Sequence, residues 1–326
     1  MKQELLNIKQ AVRSIGTMNK PFYIQLLGPT ATGKTDLAIA LAQTIPSQII
    51  SVDSVMVYRG FDVGSAKPTM DERLGIPHHL IDVGSPKDIT FNGYDFCQQA
   101  LNLIRLIDQE KQVPIVVGGT MMYAHLLQNI YHKGMPASNP DLRQTLCLKA
   151  ATQEGRRSLY DQLVSISPIA VDISPNDTKR IIRQIEVLLS GQGDGPVAGL
   201  MPNVISIHIH VHNRPAHLEC LQVRFEKMLA RGFLAECEQL MPLFEQCPNH
   251  PVFKSIGYAQ AFSYLKGHYT YDEMVERAHI ATRQYAKKQM TWLRSWSPNA
   301  DLVLQWGDTQ EVMMKQIKRL LNDHLV

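Results

Sequence analysis

The sequence predicts an α/β fold with a parallel sheet at its centre, on three observations. In the first half, short β-rich runs alternate with helical patterns: "FYIQLL", a helix from Lys34, "QIISVD", "HHLIDV", a helix near 94 to 109, and "PIVVGG". Further on, "NVISIHIHVH" alternates Val204, Ile205, Ile207, Ile209 and Val211 with Ser206, His208 and His210, which predicts one more strand that rejoins the sheet. Between the first strand and its helix, "QLLGPTATGKTDLAIALA" carries the pattern G-x-x-x-x-G-K-T.

Taken in order, residues 1–20 form an N-terminal extension with charges throughout and no apolar h-region. No stretch of the chain approaches the roughly 18 apolar residues of a membrane span. Export and membrane insertion are therefore not expected. The core is expected over 21–122 and 202–326, with a helical insertion domain over 123–201. In that insert "DLRQTLCLKAATQE", "GRRSLYDQLVSI" and "SPNDTKRIIRQIEVLLS" are helical by spacing, with Asn139 and Ser174 as N-caps. "GQGDGPVAG" then reads as a mobile loop, and 214–326 reads as mostly helix.

Composition narrows the function classes without choosing one. At 326 residues, 44% hydrophobic and 19% charged, the chain can bury one large core or a core plus a satellite domain. A formal charge of +3 is too mild to name a nucleic-acid partner by itself. Five cysteines without a C-x-x-C pair argue against a disulfide framework and a zinc finger, and fit a reducing cytoplasm.

The glycine-rich stretch is the strongest local signal. Gly28 and Gly33 let the backbone of Pro29, Thr30, Ala31 and Thr32 wrap an anion. The helix beginning at Lys34 adds its positive end, Lys34 adds a point charge, and the Thr35 hydroxyl is placed for Mg²⁺. Phosphate binding follows, but nucleotide hydrolysis does not. The strand "PIVVGGT" ends in Gly118, Gly119 and Thr120, where a nucleotide-hydrolysing enzyme would carry an acid to hold Mg²⁺ and orient water. The carboxylate candidates are Asp53, at the end of "QIISVD" and over the phosphate site, and Asp82 of "HHLIDV", which reads as a strand-end or capping residue.

A second signal lies near the C-terminus. From Arg277 to Arg294, "RAHIATRQYAKKQMTWLR" holds five Lys or Arg and no Asp or Glu. On a helix, Arg283, Lys287 and Arg294 share a stripe with Met290, while Ala278, Ala281, Tyr285 and Trp292 fall opposite, so one face packs and the other meets something anionic.

Together, "GPTATGKT", "SVDSVMVYRGFDVGSAKP", "PHHLIDV", "VVGGTMMY", "GYAQAFSYLKG", "YDEM" and "ATRQYAKKQMTWLR" resemble the bacterial tRNA dimethylallyltransferases, also called tRNA isopentenyltransferases, over about residues 22 to 296. The resemblance implies a phosphate-loop NTPase-like core and transfer of a dimethylallyl group from dimethylallyl diphosphate to N6 of the adenosine 3′ of the anticodon. The phosphate loop would then hold a diphosphate leaving group. Asp53 matches the family's base, and Arg283 matches an added cation, with Thr30 and Thr120 lining the site. The resemblance also implies tRNA contacts: Asp53, Ser54, Val55 and Met56; Lys254, Ser255, Ile256, Gly257, Tyr258 and Ala259; and Lys287, Lys288, Gln289, Met290, Thr291, Trp292, Leu293 and Arg294. On the insert it implies Lys179, Arg180, Ile181, Ile182 and Arg183, with Arg143 a third cluster. A monomer is expected.

The sequence departs from the family pattern at Met56, Ser65, Ala259 and Cys220, where Gln, Thr, a basic residue and Arg are common. Three other functions compete: prenyl transfer to free adenine nucleotides, a phosphate-loop kinase for a small metabolite, and an RNA-binding protein without catalysis. The basic helix argues against the first, since a mononucleotide needs no such surface, and the phosphate loop argues against the last.

Overall fold

A computed structural model describes residues 21–130, 136, 138–167, 173–190 and 202–323. The N-terminal extension and the Gly-rich loop of 191–199 lie outside them. Six strands form one sheet: β1 (Phe22–Leu27), β2 (Ser47–Val52), β3 (His78–His79), β4 (Val113–Gly118), β5 (Asn203–His210) and β6 (Leu302–Gln305). They lie in the order β3-β2-β4-β1-β5-β6, and every neighbouring pair is parallel. The fold is mixed α/β, as the alternation of strands and helices predicts.

Sequence and burial explain that order. Strands β1 and β2 are buried at every position, as strands covered on both faces must be. Helices α1 (Lys34–Ala42) and α11 (Gln310–Asp323) pack Leu37, Ile39, Leu41, Met313, Ile317 and Leu321 into one core with Ile24, Leu26, Ile115 and Ile207. The crossover to β4 runs through α2 (Gly93–Gln109), which starts where the Asn92 side chain accepts the Tyr94 and Asp95 amides. Because the sheet is parallel, the ends of β1, β2 and β4 open on the same edge. That edge carries the phosphate loop, Asp53, and the Gly118–Thr120 turn, which leads into the short α3 (Met121–His125).

Several expectations need correction. "HHLIDV" pairs only through His78 and His79, because Leu80 and Asp82 adopt left-handed φ values of 58° and 55° that turn the chain off the sheet. The strand expected over 203–211 does rejoin the sheet, and its polar Ser206 and His208 are buried. β5 lies between β1 and β6, and the two side chains bond each other at 3.0 Å. The "DLRQ…TQE" run is two helices, α4 (Pro140–Lys149) and α5 (Gln153–Ile166), the second capped by Thr152. The next helix, α6 (Thr178–Ser190), starts at Thr178 rather than after Ser174. Asp177 accepts the Arg180 amide, while Ser174 closes the turn before it. A further strand, β6, emerges from the stretch read as mostly helix.

The chain divides into two compact units, 1–125 with 201–326, and 126–200. The second has its own small core of Leu146, Leu159, Leu163, Ile181, Ile182 and Ile185. No described helix is long and apolar enough to cross a membrane.

Candidate active site

The phosphate loop follows β1 and closes on α1. Ala31 and Gly33 both adopt left-handed backbone, with φ of 60° and 75°, which curls the loop back on itself. Thr32 Oγ1 and Lys34 Nζ each donate to the Pro29 carbonyl at 2.8 Å, fixing the curl from inside. Burial, and then the neighbouring Arg224 charge, push the Lys34 ammonium down to about 7, with Asp53 opposing.

Asp53 is the first residue past β2. Its Oδ1 accepts the Val55 amide at 2.7 Å and the Met56 amide at 3.0 Å, so the 53–56 turn wraps its own carboxylate. Burial raises its pKa, and the two amides, Lys34 and Arg224 pull the other way. A half-buried carboxylate shifted upward is suited to taking a proton.

These groups line one cavity of about 350 Å³, together with Thr30, Thr35 and Thr120. Its lining brings together the two segments expected at RNA, Ser54–Met56 and Lys254–Tyr258. Ala259 follows in α9 (Tyr258–Leu265), half-buried. Another wall is the 62–68 loop, held by the Glu236 carboxylate of α8 (Phe233–Gln246). That carboxylate accepts the Asp62, Val63 and Gly64 amides at 3.0, 2.6 and 3.1 Å and the Tyr258 hydroxyl at 2.6 Å. Lys67 anchors the same loop to Asp62 and Asp82, so Asp82 serves structure.

Arg224 was not singled out from sequence, yet it lines the cavity beside Asp53 and Lys34. A signal did exist. In α7 (Arg214–Ala230) it sits among Leu221, Phe225 and Met228 at helical spacing, a lone cation on an apolar face. Arg283 is exposed and does not line the cavity.

The basic helix is α10 (Tyr271–Trp296). Arg283, Lys287, Lys288, Thr291 and Arg294 are exposed, and among the described residues none of the four basic side chains forms an ion pair. Met290, expected on that stripe, is buried with Gln289 and Leu293, because it lies at the margin of the packed arc.

On the insert, Arg143 and Arg183 face inward. Glu186, fully buried, accepts Arg143 Nη2 at 2.6 Å, Arg183 Nη1 at 2.9 Å, the Ser138 hydroxyl at 3.0 Å and the Asn139 amide at 2.6 Å. Burial alone would raise its pKa, but these partners hold it below the usual carboxylate range. Lys179 and Arg180 are exposed, whereas Ile181 and Ile182 belong to the insert's core, so any part they take in an RNA contact is as packing support.

What this geometry has is the framework of a phosphate-loop transferase: Lys34, Arg224 and Asp53 line one cavity beside the loop, and β4 ends in glycine where a nucleotide-hydrolysing enzyme carries an acid. The comparisons narrow the class. Residues 56–296 match the family model described as IPP transferase, and the chain belongs to that family. It is 41% identical over 283 residues to a tRNA dimethylallyltransferase of Methylococcus capsulatus, covering 84% of this chain and 89% of that one. A Coxiella burnetii tRNA dimethylallyltransferase is 39% identical, covering 89% and 98%. Among solved structures, the tRNA isopentenylpyrophosphate transferase of Bacillus halodurans superposes with a TM-score of 0.69 at 30% identity, covering 94% and 97%. A eukaryotic dimethylallyltransferase acting on tRNA gives 0.72 at 27% identity, covering 89% and 75%.

Proposed function

We infer that the chain transfers the dimethylallyl group of dimethylallyl diphosphate to N6 of the adenosine 3′ of a tRNA anticodon. The observation that carries this reading is the meeting of Asp53, Lys34 and Arg224 in one cavity that 53–56 and 254–258 also line. An adenine amine is a weak nucleophile, so removing its proton as the new bond forms is worth a large rate factor. In the proposed step N6 attacks the allylic carbon, the carbon–oxygen bond breaks, and its electron pair leaves on the diphosphate. The N6 proton passes to Asp53. Lys34, Arg224 and the loop amides face the charge that grows on the diphosphate, and a glycine turn at 118–119 stands where a water-activating acid would be. The target base would be unstacked to enter, as for other enzymes that work on a base edge.

The residues fit a divalent metal held mainly by the donor's phosphates. The Thr35 hydroxyl opens on the cavity beside Lys34, in keeping with Mg²⁺, which keeps several waters and few protein ligands. Such an ion would supply charge neutralisation at the leaving group. Action in the cytoplasm as a monomer fits this substrate and the five free thiols.

The test is incubation with an anticodon stem-loop RNA and either labelled dimethylallyl diphosphate or labelled ATP. Label from the prenyl donor should enter the adenosine 3′ of the anticodon, and Asp53→Ala should slow a single turnover by about 10²-fold or more with both substrates still bound. Transfer of label from ATP to any acceptor would favour a kinase, and a near-normal rate for Asp53→Ala would remove it as the base.

A further inference from the structure

Gln289 lies in α10 between the exposed Lys288 and the buried Met290, inside the segment the family resemblance assigns to tRNA. The residue is only 2% exposed, and its side chain turns inward to the phosphate loop at the wall of the cavity. The amide oxygen accepts the Thr30 N–H of the phosphate loop at 2.9 Å, and the amide nitrogen donates to the Gly119 carbonyl past β4 at 2.8 Å. Tyr285, one turn earlier, donates to the same carbonyl at 3.1 Å. The approach is close: a Cβ on Gly119 would sit 2.5 Å from the Gln289 nitrogen and would push it off its partners.

The other side of Thr30 is held as well. His217 of α7, 1% exposed and packed edge-on against Trp306, donates from Nε2 to the Thr30 carbonyl at 2.9 Å. Two buried side chains from separate helices therefore grip the N–H and the C=O of one residue. That residue precedes Ala31, which carries the left-handed turn that a side chain disfavours.

We propose that Gln289 and His217 are positioning residues for the diphosphate donor, clamping Thr30 so that the phosphate loop stays curled before an anion arrives, and that Gln289 acts through Thr30 rather than as a contact to the tRNA backbone. The proposal rests on the reading of this cavity as the diphosphate site. An anion-binding loop must spend binding energy on its own ordering unless something else has already fixed it, so losing the clamp should fall on diphosphate affinity. Donors on α10 that meet RNA would instead lose tRNA affinity and salt dependence.

The experiment measures the affinity of inorganic diphosphate with Mg²⁺, the affinity of an anticodon stem-loop RNA, and the steady-state constants for Gln289→Met, His217→Phe, their double variant, and Lys288→Ala. Each clamp variant should weaken diphosphate binding and raise the donor KM about tenfold, with RNA affinity within twofold of the parent. The double variant should be little worse than either alone, because both act on one residue. Lys288→Ala should show the opposite split. Unchanged RNA affinity also reports that a variant is folded, and should Gln289→Met fail to fold, His217→Phe carries the test. If the clamp variants lose RNA affinity while diphosphate affinity is kept, or if the two effects add in full, the proposal is wrong. If the parent protein binds no diphosphate at all, the reading of the cavity fails first.

Discussion

Arginines on the insert and on α10 look alike in the sequence and are used in opposite ways. Arg143 and Arg183 of the insert converge on the buried Glu186, where each bond replaces water that the carboxylate has lost. Arg283, Lys287, Lys288 and Arg294 of α10 stand in solvent with no acid to meet them among the described residues. A cation becomes available to a polyanion when its own fold leaves it unpaired, and the insert leaves that state to Lys179 and Arg180, the latter in an exposed contact with Asp177. Cation counts along the chain therefore overstate what can meet RNA.

This difference is sharpened first inside the cavity. Arg224→Ala should lower kcat by about 10²-fold or more with the tRNA KM little changed, because charge on the leaving diphosphate grows only as its bond breaks. Arg283→Ala, on the exposed face, should chiefly raise the tRNA KM. Steady-state kinetics of the pair would decide it, and a kcat defect confined to Arg283→Ala would restore the assignment that the resemblance implies.

Next comes the insert. Glu186→Ala removes the buried acceptor that ties Arg143, Arg183, Ser138 and Asn139 together, and because the two guanidiniums are 44% and 29% exposed and stay partly hydrated, it should cost about 1–3 kcal/mol of that unit's stability, measured by hydrogen exchange across α4, α5 and α6. The folded pKa of Glu186 is depressed. Its contribution is therefore fully present above the unfolded carboxylate value of about 4.3 and is lost as pH falls through the folded one. Insert protection that persists through that acid range would show the ion cluster to be dispensable. The smallest effect is expected on α10. Lys287→Ala and Arg294→Ala should each raise the tRNA KM modestly and flatten its salt dependence by about one counterion, read from KM at several salt concentrations.

Those contrasts also mark how far the sequence could be read. The phosphate loop and Asp53 were legible because their placement is local: each follows directly from the end of a strand, and a parallel sheet brings strand ends to one edge. The Asn139 cap was legible for the same reason, its oxygen reaching an amide three residues on. Arg224, Gln289 and Glu236 were not, since each acts on a segment distant in sequence. Helical spacing marks Gln289 and Arg224 as polar groups on packed faces without saying what they face. Glu186 resisted for a different reason, because a carboxylate beside arginines on a helix usually signals a solvated face, and here it marks a core.

The turn at Gly118 and Gly119 sets a boundary on what this site could become. A side chain at Gly118 would drive its Cβ to 2.2 Å from the Val52 carbonyl, and one at Gly119 would displace the Gln289 amide. An aspartate at Gly118 would have to shift the β2 backbone, and one at Gly119 would have to move the Gln289 amide off its partners. Steric crowding thus keeps both glycine positions clear of the acid that nucleotide hydrolysis would need there.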